Sequence, residues 1–309
     1  MGQRECCVCH RPVGEDAPTI GRRAYCEEHY RRVVGDRKGL WWSTALAVLG
    51  LVLFVLAVDL AVGSAGLTVS RGALLPAGVV LALVPAGLWL VVFYVQDRLE
   101  PEPKAQVLSV FLLGALLAQA VGIPVVRDLF QVQAWLGQAP VVWQLVGSIL
   151  IVGVTQEYLK YAVVRYGVYR SAEFDERVDG IIYSAAAGLG YATLLNTHYV
   201  VDTGGAQLQA GVLRVVVTAL AQASFSGLMG YFLGRAKFED MGRLWLPGGL
   251  LLAATLNGVV TYLLREVTVR GLTLTPMNGL ILAAVVAAVV FGAVFALIRR
   301  ANAATLATV

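Results

Sequence analysis

Eight long apolar runs follow residue 39 and constrain the fold more than any other feature of the sequence. Each run is close to the ~20 residues that a helix needs to cross the hydrocarbon core of a bilayer. Short polar turns separate the runs, and no connection is long enough for a further soluble domain. The runs lie at about 40–63, 73–96, 105–126, 141–164, 178–201, 211–234, 244–264 and 276–298. The sequence therefore predicts an all-α, polytopic membrane bundle of about eight transmembrane helices.

The composition agrees with this class of protein. Only 14% of the residues are charged, whereas a soluble domain has about 25%. The net charge of +4 is spread over the turns, so we expect the lipid bilayer and no nucleic acid as a partner. The chain divides into a segment at 1–39, a transmembrane domain at 40–300 and a short tail at 301–309.

The positions of the basic residues predict the orientation of the bundle, because Lys and Arg are retained on the cytoplasmic side. With the N-terminus inside, only five of the 24 Lys and Arg residues lie on the other side. These five are Arg71, Arg127, Arg214, Arg265 and Arg270. We therefore expect both termini in the cytoplasm.

Residues 1–39 contain the spacing of a small metal-binding module. Cys6 and Cys9 form one Cys-x2-Cys pair, and Cys26 and His29 form a second pair after sixteen intervening residues. This pattern is typical of a closed, structural zinc site in a ribbon or treble-clef-like module. Cys7 and His10 leave a one-residue slip of the first pair open. The alternative is a disordered arm with four unligated thiols.

The fourth apolar run contains an acid and a base three residues apart, Glu157 and Lys160. This spacing places both side chains on one face of a helix. An ionisable group inside a membrane costs ~2.5–3.5 kcal/mol, so it usually faces a cavity or a partner. The other interpretation is that Lys160 snorkels to the interface with Glu157 beside it.

Further polar residues lie in the fourth to seventh runs. We expect Gln156, Lys160, Asp179, Asn196, Gln222 and Asn257 to line a cavity. Each also has a structural interpretation. An acid at position 179 suits the start of a helix, and buried amides bridge membrane helices through hydrogen bonds worth about 1 kcal/mol.

The order of the short motifs is more specific than any one of them. The motifs run through Tyr94–Gly114, Gln156-Glu157-x2-Lys160, Phe174–Tyr183, Gly188–Tyr199 and Ala223–Phe238. Over about residues 75–265 the chain resembles the PrsW-type intramembrane metalloproteases. The resemblance implies a bacterial cytoplasmic membrane protein and metallopeptidase activity.

The departures from the family pattern concern the residues that the resemblance implies for the metal and the chemistry. Gln156 stands where the family has the first Glu of a Glu-Glu pair, and Leu195 stands where it has an acid. Gln222 and Asn257 stand where it has histidines. A hydrolytic zinc site needs about three His or carboxylate ligands and a water. We therefore expect no intramembrane metal.

Three functions are compatible with this pattern. The first is a pseudoprotease that binds another membrane protein or peptide without cutting it. The alternative is an active intramembrane metalloprotease, performing site-1-like regulated proteolysis, with a rearranged metal site and Glu157 as its catalytic residue. A solute carrier would require a continuous polar path, and the sequence has no repeat symmetry that favours one.

Overall fold

The computed structural model describes residues 4–20, 23–35, 39–64, 69–96, 101–204, 208–270 and 274–307. These residues form eleven α-helices and one short hairpin. The strands are β1 Thr19–Ile20 and β2 Arg23–Ala24. The helices are α1 Glu27–Gly35, α2 Gly39–Asp59, α3 Leu74–Gln96, α4 Lys104–Leu117, α5 Val132–Trp135, α6 Val141–Gly147, α7 Val154–Gly167, α8 Asp179–Asp202, α9 Leu208–Phe238, α10 Trp245–Arg270 and α11 Leu274–Ala307.

Seven helical segments within the described residues are long and apolar enough to cross a membrane. They are Trp42–Val62, Arg71–Gln96, Lys104–Trp135, Val141–Gly167, Gly211–Phe238, Trp245–Arg265 and Asn278–Leu306. They correspond to seven of the eight predicted runs. The chain is therefore an all-α, multi-pass membrane protein, as the sequence predicts.

The eighth run, 178–201, forms α8, which has the length of a span but is not among these seven segments. Nineteen of its 24 residues are buried, and α3, α4, α7 and α9 pack around it. Because its neighbours provide the surface that faces lipid, α8 has no need of a strongly apolar surface of its own. It can therefore consist largely of small and polar residues, which allow close helix packing.

Glycines bring α8 and α9 into direct backbone contact. A Cβ added at Gly230 of α9 would lie 2.0 Å from the carbonyl oxygen of Gly180. A Cβ added at Gly188 of α8 would lie 2.5 Å from the carbonyl oxygen of Gln222. Close backbone approach of this kind is how helices associate in lipid, where no hydrophobic force drives them together. The contact fixes the position of Gln222 beside α8.

The structural elements of the N-terminal segment follow one another in the order that is typical of a treble clef. A turn at residues 6–10 precedes the antiparallel hairpin, in which Thr19 pairs with Ala24, and α1 follows. Ile20 and Tyr25 form a small buried core. Arg23 connects the segment to the membrane domain, with its Nε 3.0 Å from Asp175 Oδ2 and its Nη2 3.5 Å from Glu173 Oε2. The segment therefore rests on the loop that precedes α8.

The last helix extends beyond the predicted end of the membrane domain. The helix α11 continues to Ala307, and the Thr305 hydroxyl donates to the Ala301 carbonyl at 3.2 Å. Positions 301–307 of the predicted tail are thus helical, because nothing in this alanine-rich stretch breaks a helix. Residues 308 and 309 lie outside the described residues.

Candidate functional site

Glu157 and Lys160 form an ion pair in the interior of the bundle. The Lys160 Nζ lies 2.5 Å from Glu157 Oε1, and the two side chains are 1% and 0% exposed. The interpretation in which Lys160 snorkels to the interface is therefore wrong. A buried pair of this kind is tolerated only when further hydrogen bonds satisfy its remaining donors and lone pairs.

Those hydrogen bonds come from amide side chains on α7, α9 and α10. The Lys160 Nζ donates to Gln222 Oε1 at 2.5 Å, and Asn257 Nδ2 donates to Glu157 Oε1 at 2.7 Å. Gln222 Nε2 donates to Gln156 Oε1 at 3.0 Å. All five side chains are at least 94% buried. We call these five residues, Gln156, Glu157, Lys160, Gln222 and Asn257, the polar cluster.

Close backbone contact positions α10 against the segment that leads into α7. This segment, Ser148–Gly153, is π-helical, and π turns inside helices are frequent at functional sites. A Cβ at Gly153 would lie 2.1 Å from the Ala254 carbonyl oxygen, and a Cβ at Gly258 would lie 2.4 Å from Ile149 Cα. Two glycines are therefore needed to bring Asn257 next to Glu157.

Three residues that the sequence analysis did not assign to the site also contact the polar cluster. Ser226 Oγ donates to Glu157 Oε2 at 3.4 Å, and Thr261 Oγ1 donates to Asn257 Oδ1 at 3.2 Å. The Lys160 Nζ lies 5.6 Å from the centroid of the Tyr191 ring. Ser226 and Thr261 each follow a cluster residue by four positions. The i, i+4 rule for helix neighbours is thus the signal that identifies them.

The other two predicted cavity residues lie outside the polar cluster. Asp179 is at the start of α8, where its Oδ2 accepts a hydrogen bond from the Glu176 backbone N–H at 2.6 Å. It is about 18 Å along the helix from Tyr191, given a rise of ~1.5 Å per residue. Asn196 Nδ2 donates to the Val215 carbonyl at 3.0 Å. It faces a cavity rather than the ion pair.

A cavity of about 420 Å³ adjoins the polar cluster toward the C-terminal end of α8. We call it the arginine cavity; its polar lining includes Gln156, Asn196, Arg214, Thr218, Gln222 and Arg265. A second cavity of about 590 Å³ shares Gln156, Leu195 and Arg214 with it. Two of the five cluster residues, Gln156 and Gln222, thus reach the arginine cavity, while Glu157, Lys160 and Asn257 are not among its lining residues.

The polar cluster does not fit a hydrolytic metal ion. Its only acid, Glu157, accepts hydrogen bonds from Lys160, Asn257 and Ser226. The remaining members provide amides, which are poor zinc ligands compared with imidazole, thiolate and carboxylate. The Lys160 ammonium already supplies the positive charge at the point where the cluster oxygens meet. In the described part of the chain, no group of three or more His, Cys, Asp and Glu side chains occurs inside the bundle.

The N-terminal cluster does fit a metal ion. The ligand atoms of Cys6, Cys9, Cys26 and His29 all lie within 4.8 Å of one another. Cys9 Sγ is 4.0 Å from Cys26 Sγ, and Cys6 Sγ is 3.7 Å from His29 Nδ1. Zinc–sulfur bonds of about 2.3 Å in a tetrahedron place the sulfurs about 3.8 Å apart. The four predicted residues are therefore close enough to hold one metal ion.

The register of the first pair follows from the backbone. Cys7 packs instead against the small core of Ile20 and Tyr25, and His10 is exposed with a positive φ of 56°. Burial opposes ionisation of the Cys6 thiol, but hydrogen bonds from the backbone at Cys26, Cys9 and Val8 outweigh it and lower the Cys6 pKa to about 6. The thiolate is the form that binds metal.

Comparison with known proteins gives a family match and several curated relatives. The profile of the family described as PrsW family intramembrane metalloprotease matches residues 102–298. The chain is 34% identical over 183 residues to Protease PrsW of Geobacillus kaustophilus, covering 59% of this chain and 77% of that protein. It is 31% identical over 194 residues to Protease PrsW of Bacillus subtilis, covering 60% and 84%.

A third relative, Protease PrsW of Clostridioides difficile, is 28% identical over 188 residues, covering 60% of this chain and 77% of that protein. No solved structure matches the chain. The matched region contains the polar cluster and both cavities, and it excludes the Cys and His residues of the N-terminal module. The chain belongs to the PrsW family of intramembrane metalloproteases.

Proposed function

We propose that this chain is a non-cleaving member of its family that binds a membrane segment of another protein. The observation that carries the proposal is the position of the Lys160 ammonium, 2.5 Å from both Glu157 Oε1 and Gln222 Oε1. Hydrolysis by this family requires a metal ion that lowers the pKa of a bound water to ~7. Here an amine of the chain itself occupies the point at which the oxygens converge.

A divalent ion would have to displace Lys160 and then bind with one carboxylate and three amides. The cost of that exchange is high, because it leaves a buried ammonium without its counterion. The amide network also has few unused donors, since Gln222 and Asn257 donate to one another and to Gln156. These hydrogen bonds support a structural role for the polar cluster, which holds α7, α9 and α10 together.

The arginine cavity supports the binding half of the proposal. It lies beside the polar cluster, between helices that span the membrane, and it offers amide and hydroxyl groups to a guest. A peptide backbone in a membrane must satisfy its N–H and C=O groups internally or through such partners. The guest that matches this lining is therefore a peptide segment with locally irregular backbone.

We further propose that Cys6, Cys9, Cys26 and His29 bind one structural zinc ion, and that this module is a docking element on the cytoplasmic face. Its support is the four-ligand geometry together with the contacts from Arg23 to Asp175 and Glu173. Zinc would supply the folding free energy that so small a hydrophobic core lacks. The orientation with both termini in the cytoplasm follows from the distribution of Lys and Arg.

Zinc analysis of the full chain tests the non-cleaving function. The full-length protein is expected to contain one zinc ion, and a Cys9→Ser, Cys26→Ser variant is expected to contain none. The same two proteins are incubated with a labelled transmembrane peptide, with and without a chelator. One tightly bound ion in the double variant, or cleavage that the chelator abolishes there, would overturn the proposal.

The second candidate function is an active intramembrane metalloprotease with a rearranged site. The observation in its favour is that the curated relatives are named proteases and match the region with the polar cluster. Under that function Glu157 is the catalytic residue, and Glu157→Gln must abolish cleavage. Under the non-cleaving function there is no cleavage for this substitution to abolish.

A further inference from the structure

Two arginines line the arginine cavity, and no Asp or Glu lines it. Among the described residues neither Arg214 nor Arg265 has an ion-pair partner, and one buried nitrogen of each guanidinium group lacks a hydrogen-bond partner. Arg214 stacks on the ring of Tyr199 with its Cζ 3.9 Å from the centroid. By contrast, the exposed Arg127 pairs with its neighbour Asp128 at 2.8 Å. The arginine cavity thus contains two positive charges and no acid, and Asp202 lines the adjoining cavity, which shares Arg214.

Arg214 and Arg265 lie near the ends of their spans, and charged groups that face the interior of a membrane bundle usually pair with one another or mark the route of a ligand. The buried Arg214 Nε and Arg265 Nη1 have no hydrogen-bond partner among the described residues. We propose that these two guanidinium groups bind a carboxylate of the peptide segment that enters the cavity. This inference deepens the proposed function, on which it rests for the presence of a peptide guest.

The anion that fits best is a carboxylate within a peptide rather than a lipid phosphate. The reason is that the arginine cavity also contains an unused hydrogen-bond acceptor, which needs a donor from the guest. A guanidinium fork matches both carboxylate and phosphate. Asn196 Oδ1, however, is buried and has no donor among the described residues. A phosphodiester offers only acceptors, whereas a peptide offers backbone N–H donors as well. The hydroxyls of Ser148 and Thr218, which are also buried and unpaired in the described structure, suit either partner.

The geometry also gives the guest a direction. Arg214 lies near the start of α9, and Arg265 near the end of α10, so both are at the end of the bundle where α8 ends. Gln156 and Gln222 close the inner end of the arginine cavity. An acidic side chain held by the arginines therefore places the following residues of the guest next to the polar cluster. The carboxylate acts as an anchor that fixes the depth of the peptide.

Two labelled, amidated peptides test the inference. They have one apolar sequence and differ only in a single central Glu or Gln. Binding to the full chain is measured in nanodiscs of a neutral lipid. The Glu peptide is expected to bind roughly 10-fold or more tightly than the Gln peptide, since hydrogen bonds to charged groups are stronger than those to neutral groups. Arg214→Met and Arg265→Met should each remove most of this preference, and the exposed Arg243→Met should retain it.

The stability of the variants separates ligand binding from a structural role. If the arginines serve the guest, their replacement in the empty protein breaks no ion pair, and Arg214→Met loses only the stacking on Tyr199. The thermal unfolding midpoint is therefore expected to be nearly unchanged or higher. A marked fall in that midpoint for both variants would overturn the inference.

Other outcomes are equally decisive. Equal binding of the two peptides would overturn this inference and leave the proposed function in place, whereas binding of neither would overturn both. Displacement of the Glu peptide when an anionic phospholipid replaces the neutral one would identify a lipid phosphate site instead.

Discussion

Glu157 and Lys160, one helical turn apart on α7, pair at 2.5 Å while their side chains are almost fully inaccessible to solvent. A pair placed so deeply depends on each partner and on the amides around it, because both charges have lost their hydration. The same relationship explains how a site with only one acid can be stable inside a membrane protein. The ammonium is the counterion that a metal would otherwise provide.

Replacement of one partner tests this dependence. Lys160→Met leaves the Glu157 carboxylate buried without a counterion, and we expect a loss of about 3–5 kcal/mol in the free energy of unfolding. Glu157→Gln added to Lys160→Met removes the unpaired charge and should recover a large part of the loss. Denaturant titration of the purified proteins in detergent measures both. A double variant no more stable than the single variant would show that the charge is not the cause.

The family-like ligands can be put back into the polar cluster. Gln156, Gln222 and Asn257 lie within 3.5 Å of one another through their amides. We therefore expect Gln156→Glu with Gln222→His and Asn257→His to create a zinc site. Zinc content is measured in the Cys9→Ser background, which removes the N-terminal ligand set, and Gln156→Glu alone is the control without imidazoles. Failure to bind zinc, even after Lys160→Met clears the competing ammonium, would contradict the observed convergence of α7, α9 and α10.

The N-terminal module contains two cysteines, Cys7 and Cys9, that lie two residues apart and provide a built-in comparison. Cys9→Ser should release the metal and leave membrane insertion intact, because Cys9, unlike Cys7, belongs to the four-ligand cluster. Cys7→Ser should retain full zinc content, since Cys7 packs against the core of the hairpin. Elemental analysis of both variants and a membrane fractionation are the measurements. The reverse pattern would indicate that the first ligand pair is shifted by one residue.

Helix packing beside the polar cluster gives a stability prediction. Gly258→Ala would place a Cβ 2.4 Å from Ile149 Cα, so α10 must move away from the segment before α7. Overpacking of this kind costs about 1–3 kcal/mol. Gly248→Ala on the same helix meets nothing within 4 Å and should be neutral. Thermal unfolding of the two variants makes the comparison, and equal midpoints would argue against the close contact.

Glu239, in the turn after α9, makes a pH-dependent contribution to the stability of the fold. Its carboxylate accepts a hydrogen bond from Arg235 and another from Arg177 at 3.0 Å, and these bonds lower the pKa of Glu239. Because the pKa of Glu239 is lower in the folded protein than its ordinary value near 4.5, the ionised carboxylate stabilises the fold at any pH above that ordinary value. This contribution to the free energy of unfolding is lost as the pH falls through the lowered pKa.

Glu239→Gln should thus lower the unfolding midpoint near neutral pH and have a diminishing effect as the buffer becomes more acidic. We expect at most about 1 kcal/mol, because the pair is partly exposed. The matched variant Glu27→Gln removes a fully surface-exposed i, i+4 pair with Arg31 and should have no measurable effect. An effect of Glu239→Gln that stays constant with pH would indicate a packing contribution instead of the charge.

The sequence was sufficient to predict seven of the spans, the four Cys and His residues that lie close enough to hold a metal ion, and all five residues of the polar cluster. Polar residues within apolar runs are expected to face one another inside the bundle, because contact with lipid is costly for them. The residues of this kind are Gln156, Glu157, Lys160, Gln222 and Asn257. Asp179 lies outside the polar cluster. Its carboxylate instead accepts a hydrogen bond from the backbone at the start of α8. The roles proposed for these site residues are predictions.

The arginine cavity could not have been predicted in this way. Arg214 and Arg265 are near the ends of their apolar runs, where a basic residue normally reaches the interface. Their position along the sequence does not reveal which face of the helix they occupy. The central position of α8 in the bundle could not be predicted from the sequence either, because its run differs from the others mainly in its small residues. Both features depend on which helices meet, and that depends on contacts between distant residues.

The enclosed position of α8 has a consequence for how the protein responds to its lipids. A bilayer that is too thick or too thin acts on helices that touch it, which tilt or shift to match its hydrocarbon span. Here α2 is the least buried of the seven spans, with 11% of its apolar window buried, while 19 of the 24 residues of α8 are buried against protein. Changes in membrane thickness should therefore be absorbed by the outer helices, and the polar interior should keep its geometry from one membrane to another.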